Sequence, residues 1–182
     1  MPFYMYDPPQ RFVAGAVGQP GERTFYLQAT DGSRVTSVSL EKFQVSQLAE
    51  RLDELLDEVI RRTGGQPSAL SAPADDGPLD LPLMEEFRVG AIALAWDGET
   101  DRVVIEAQEE SESPVEPLAD VVPADGPGVL RVRLSPDAAR AFAQRALRIV
   151  AQGRPPCPLC GLPLDATGHV CPRQNGYRAG HD

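Results

Sequence analysis

Lysine is almost missing from this chain: Lys42 stands alone, and arginine supplies all the rest of its 17 basic residues, a usage associated with GC-rich genomes. Against 27 acidic residues these leave a net charge of −10, which argues against a general affinity for nucleic acid, because neutralising phosphates needs a concentration of Lys and Arg. Histidine is as scarce. His169 and His181 both lie near the C-terminal end, so the rest of the chain has none for a Ser-His or Cys-His arrangement, and neither a P-loop nor a GxGxxG occurs. No catalytic motif is identified, and whether the chain is an enzyme is left open. No run approaches the roughly 18 apolar residues that span a bilayer, and the start, MPFYMYDPPQRF, lacks the basic and apolar regions of a signal peptide. The expected location is cytoplasmic, with no membrane association. The three cysteines, Cys157, Cys160 and Cys171, cannot form a disulfide framework without leaving one over, and a reducing compartment disfavours disulfides in any case.

What is present reads as a folded chain, since 42% hydrophobic and 24% charged residues match the balance of soluble globular domains. With 182 residues the expectation is one main domain with a small appendage. Arg11 to Gly18 and Arg23 to Thr30 are rich in β-formers and flank a Gln-Pro-Gly-Glu turn; Asp31-Gly32 then leads into a third strand, Arg34 to Ser39. Leu48, Leu52, Leu55, Leu56, Val59 and Ile60 recur at helical spacing, with Ser39 as the expected N-cap and Gly64-Gly65 as the stop. Residues 64 to 82 carry Pro67, Pro73, Pro78 and Pro82 and read as a linker or mobile loop. Phe87 to Trp96 and Arg102 to Gln108 form a second hairpin, with Trp96 read as core or sheet edge. An acidic loop over 109 to 128 holds no basic residue and is also expected to be mobile; a strand follows at Val129 to Leu134. A second helix opens at Ser135-Pro136-Asp137 and sets Phe142, Ala146, Ile149 and Val150 on one face.

The order βββα thus occurs twice, and RFVAGAVG resembles FRVGAIAL at the head of each unit. The fold class is α+β: a mostly antiparallel sheet with two helices over residues 1–153, read either as an internal duplication (1–65 and 83–153) or as an irregular α+β domain, followed by a zinc-binding tail over 154–182. In either case the units are expected to lie side by side and bury one core.

In the tail, CPLCGLPLDATGHVC spans residues 157 to 171. Structural zinc takes four N or S ligands in a tetrahedron. Cys157 and Cys160 supply two from a tight CxxC turn, Gly161 permits the positive φ that turns backbone N–H groups toward the sulfurs, and His169 and Cys171 complete the set. Arg154 and Arg173 are placed to offset the net negative charge of three thiolates on Zn²⁺. His181 in place of His169, or three thiols without metal, are the alternatives. A deaminase site would need an upstream HxE, and a thioredoxin-like CxxC would open a helix rather than precede GLPL. Elsewhere Asp7, Arg11, Arg23, Gln28, Glu41 and Lys42 are candidates for a polar ligand-binding site, with solvated strand edges and a helix start as the plain alternative.

DPPQRFVAGAVGQPGERTFYLQA, SLEKFQVSQLAERLDELLDE and CPLCGLPLDATGHVCPRQNGY together resemble an uncharacterised actinobacterial family, a domain of unknown function with a C-terminal CPxCG…HxCPRxNGY motif. The resemblance implies that Asp7, Pro8, Pro9, Arg11, Pro20, Gly21, Arg23, Gln28, Glu41 and Lys42 belong to the family pattern. It also implies a kinase-like or phosphatase-like neighbour as the protein partner. The functional expectation is a zinc-stabilised binding or adaptor protein. The alternatives are an enzyme or binder that sets Arg11, Arg23 and Lys42 on a phosphate-bearing small molecule, and nucleic-acid binding through Arg154, Arg173, Arg178 and Tyr177, which the acidic bulk opposes. If the tail is a zinc site, one equivalent of zinc co-purifies, and Cys160→Ser removes most of it while the main domain stays folded. Metal-free protein in reducing buffer, measured by elemental analysis, overturns the assignment.

Overall fold

The structure, a computed structural model, describes residues 3–19, 21–64 and 75–152. Its elements run β1 (Phe3–Tyr6), β2 (Arg11–Val17), β3 (Thr24–Asp31), β4 (Arg34–Leu40), α1 (Lys42–Thr63), β5 (Glu85–Asp97), β6 (Arg102–Glu109), β7 (Val129–Leu134) and α2 (Pro136–Ala151). Two βββα units are therefore present, and the class is α+β as the periodicity implies. The strand β1 goes beyond that reading. It is four residues long, and its partner β7 is remote in the chain, so no local turn announces it.

All seven strands form one mixed sheet in the order β1-β7-β6-β5-β4-β3-β2. Within each unit neighbouring strands are antiparallel. The units join through a parallel seam between β4 and β5, with Val38 beside Phe87 and Ser39 beside Arg88. A parallel pair cannot be closed by a hairpin, so the chain crosses over through α1.

The N-cap of α1 is Glu41 and not Ser39. Ser39 lies inside β4, paired with Tyr26, because the strand continues to the buried Leu40. Glu41 and Gln44 form a capping box in which each side chain accepts from or reaches back to the other's backbone. Gly64 closes the helix with φ +66°, a left-handed conformation that glycine adopts without a Cβ clash. At α2 the expected start holds: the Ser135 hydroxyl accepts from the Ala138 N–H, and Pro136 sits at the first helical position.

The apolar residues of both units merge into one core cluster on one face of the sheet. Alternation along β3 sends Phe25, Leu27 and Ala29 inward, and β6 does the same with Val103, Ile105 and Ala107. The helices pack on each other over this face. α2 also reaches the far edge strand β2, where Phe12 and Phe142 stack with ring centroids 4.6 Å apart. Arg145 of α2 donates from Nε to the Ala14 carbonyl at 2.8 Å, which satisfies part of an otherwise open strand edge.

Such packing requires a strongly coiled sheet. Tyr6 of β1 is fully buried, and its hydroxyl lies 2.8 Å from Thr36 Oγ1 on β4. Those strands are four ladder steps apart, about 19 Å in a flat sheet. Arg34 of β4 covers the Tyr6 ring at 4.0 Å and donates to the Met5 carbonyl. No helix among the described residues is long and apolar enough to cross a membrane.

Removing the Tyr6 hydroxyl leaves Thr36 without its buried partner. Tyr6→Phe is expected to cost about 1–2 kcal/mol in urea unfolding, and Tyr6→Phe with Thr36→Val less than the sum of the single changes. Strict additivity would show that the contact does not hold the curl.

Candidate functional site

The long strand β5 changes its face midway. Pairing with β6 shifts register between Val89 and Ala91, a bulge at Gly90. A Cβ at Gly90 would sit 2.6 Å from the Glu110 Cα, so the close backbone approach requires glycine. The extra residue puts Ile92, Leu94 and Trp96 on the same side as Phe87 and Val89, opposite the core residues Ala107, Ile105 and Val103 of β6. Phe87 and Val89 are buried, whereas Ile92, Leu94 and Trp96 are only partly covered.

The uncovered half of this strand faces the flank of α1 that carries Phe43, Gln47, Arg51 and Leu55, spaced by four residues along one stripe. Together they line a groove of about 670 Å³. Its floor is apolar, through Leu48, Leu55, Ile92 and Leu94, and Gln44 ties helix to sheet by donating to the Val89 carbonyl at 3.2 Å. Phe43 stands 66% exposed at the mouth. The Arg51 guanidinium has no ion pair or hydrogen bond among the described residues. Of these α1 residues the helical spacing singles out only Leu48 and Leu55, as part of the core stripe. The legible signal was the phase change in FRVGAIALAW, where alternation fails at a glycine.

The polar candidates are not gathered into one pocket. Arg11 and Gln28 do meet, through residues 75–80, which cross the outer face of the first unit. Arg11 grips the Asp75 carboxylate with Nε at 2.6 Å and Nη2 at 3.1 Å, and approaches Asp80 at 3.3 Å. Gln28 is fully buried; its amide donates to the Asp80 carbonyl at 3.0 Å and accepts from the Asp80 N–H at 2.7 Å. Asp7 lies elsewhere, 3.3 Å from Arg133, which also binds Asp97 at 2.5 Å. Arg23 caps the C-terminal end of α2, donating to the Ile149 and Gln152 carbonyls. Glu41 caps α1 and pairs with Arg88. Lys42, the first residue of α1, makes no ion pair among the described residues.

The acidic stretch is likewise held down. Glu106, 1% exposed in the middle of β6, pairs with Arg131 at 2.6 Å and accepts from the Leu118 N–H at 3.0 Å, while Arg131 donates to the Ala119 carbonyl. Composition suggests mobile loops at both places. The polar side chains that fasten them are buried on the middle strand of each unit, where sequence alone reads only alternation. No set of His, Cys, Asp and Glu among the described residues is arranged to hold a metal; Cys157, Cys160, His169 and Cys171, with the whole zinc tail, lie outside the described residues.

Comparison with known families matches residues 4–171 to a model described as a protein of unknown function, DUF3090. No curated protein and no solved structure matches the chain.

The Arg133 bridge carries a pH dependence. Its hydrogen bond to Asp97, with further ones from Thr100 and the Glu99 N–H, lowers that carboxyl from 3.8 to about 2. A depressed folded pKa means that the unfolded chain binds more protons in this range, so the stabilisation is full above 3.8 and is lost as pH falls toward about 2. Acid unfolding of Asp97→Asn is expected to lack this increment, so that parent and variant converge at the acid end. Parallel curves across the range would contradict it.

Proposed function

The chain belongs to the DUF3090 family, whose description carries no activity, and we propose that it is a binding protein: an adaptor that receives an amphipathic segment of a protein partner in the groove between α1 and β5. The observation that supports this most directly is Phe43, 66% exposed on a groove that Ile92, Leu94 and Arg51 also line, Arg51 making no ion pair among the described residues. An aromatic side chain and an arginine on one stripe of a helix match the composition of interface residues that dominate binding energy. The apolar floor asks for alternating or helically spaced apolar side chains in the partner, and Arg51 asks for a carboxylate at their edge.

The zinc tail belongs to the same reading. The family match extends to Cys171 and so takes in all four candidate ligands. Zn²⁺ bound by Cys157, Cys160, His169 and Cys171 would give order to a segment with few large apolar residues of its own. It would then serve as a second, rigid contact surface next to α2. A role in catalysis is not needed for this reading, since the described polar candidates other than Lys42 are committed to caps, ion pairs and loop attachment.

The first partners to test are the kinase-like and phosphatase-like neighbours, by calorimetry with purified proteins. Phe43→Ser and Arg51→Glu are each expected to weaken binding by about 2 kcal/mol, more than tenfold in Kd. Both side chains are solvent-exposed, so thermal stability should stay within about 0.5 kcal/mol of the parent. A partner that binds both variants as tightly as the parent does not use the groove.

A further inference from the structure

At the β2 edge of the sheet, one carboxylate is held in the manner of a bound ligand. Asp75 accepts two parallel bonds from Arg11, one from the Gly77 N–H at 3.1 Å, and lies 3.4 Å from Arg145 Nη1. Arg145 also donates to the Asp75 carbonyl at 2.6 Å. Its side chain is 6% exposed, yet its charge partner comes from a loop and not from the core. One turn further along α2, Arg148 pairs with Asp76 at 3.0 Å.

Three guanidiniums from β2 and α2 thus converge on one place, and the loop supplies the opposing charge. On the scaffold side Arg145 is held without the loop, by the Ala14 carbonyl of β2 through Nε, while Arg11 begins β2 and Arg148 lies on α2. Planar bidentate donors suit carboxylate and phosphate oxygens equally. Burial lowers the pKa of Arg145, with the charges of Arg11 and Arg148 acting in the same direction, while Asp75 raises it. Asp75 itself is lowered, chiefly by the Arg11 hydrogen bond. Three loop carboxylates, Asp75, Asp76 and Asp80, answer the three guanidiniums; Asp75 alone sits between Arg11 and Arg145, with one charge where a phosphate would bring nearly two.

We propose that Arg11, Arg145 and Arg148 form a binding site for a phosphate group, and that the chain's own Asp75 carboxylate occupies it in this structure. Phosphate entering the site displaces Asp75 and loosens residues 75–78 from β2. Asp80 stays attached, because its backbone is held by Gln28 and not by the arginines. The site is separate from the α1–β5 groove and does not depend on what binds there.

The test titrates inorganic phosphate and phosphoserine into the full chain at constant ionic strength, so that screening is equal throughout. Asp75→Asn removes the competing charge with little change of shape and is expected to bind about tenfold tighter than the parent, whose open fraction is reduced by its own loop. Adding Arg11→Gln to that variant abolishes the gain, and the tighter of the two probes tells whether the phosphate is free or esterified. Equal affinity in parent and Asp75→Asn, or binding in neither, overturns the proposal. Hydrogen exchange on the parent gives a second readout that does not rely on a variant folding. Phosphate should speed exchange at the Gly77 amide and leave the Asp80 amide protected; no change at Gly77 up to saturating phosphate also overturns it.

Discussion

The parallel seam between β4 and β5 is the constraint on which the rest of the molecule depends. Each βββα unit could close on itself by hairpins, but a parallel contact forces a crossover, and α1 is that crossover. With α1 fixed on one face, both units bury apolar residues on the same side and one cluster results. The seam is short: Ser37, Val38 and Ser39 are its paired β4 residues, with a register shift between Ser37 and Val38. Side-chain contacts reinforce it: the Ser39 hydroxyl donates to Glu85, and Glu41 just beyond β4 meets Arg88 on β5.

From the seam outward, coiling of the sheet determines where surfaces remain open. α2 follows β7 but settles against α1 and β2, so the helices cluster toward the first unit. The second half of β5 is then flanked on its inner side by α1 across an open groove, and the bulge at Gly90 turns Ile92 and Leu94 toward that gap. The groove is thus a by-product of two features, a helix drawn to the far edge and a strand that changes phase.

Local pattern made much of this legible. Alternation located six strands to within a few residues, and Pro136 after Ser135 marked the start of α2. Ser39 failed as a cap because hydroxyl residues are as common in a strand's polar face as at a helix start; what decided the boundary was burial of Leu40, a tertiary fact. Arg11 and Gln28 could be singled out as polar residues in strands, but their partners lie on a loop far along the chain. Glu106 was invisible as a fastening point, since a carboxylate at an outward position of a strand ordinarily faces water. Pattern reads which face a residue takes and is silent on what arrives to cover it.

The pairing of β1 with β7 has a consequence for how the chain is made. Phe3 lies beside Val129 and Tyr6 beside Val132, so a strand that leaves the ribosome early has no ladder partner until nearly all the described chain has followed. Until then its aromatic residues and the inner side of β4 at Thr36 have nothing to close against. The first unit can form its hairpins during synthesis, because its strands are consecutive; the coiled sheet cannot complete itself until β7 emerges. Long-range contacts of this kind slow folding by the entropy of the loop they close. Vectorial synthesis therefore leaves the sheet half-built and uncurled until β7 emerges, and its closure joins the first of the described strands to the last.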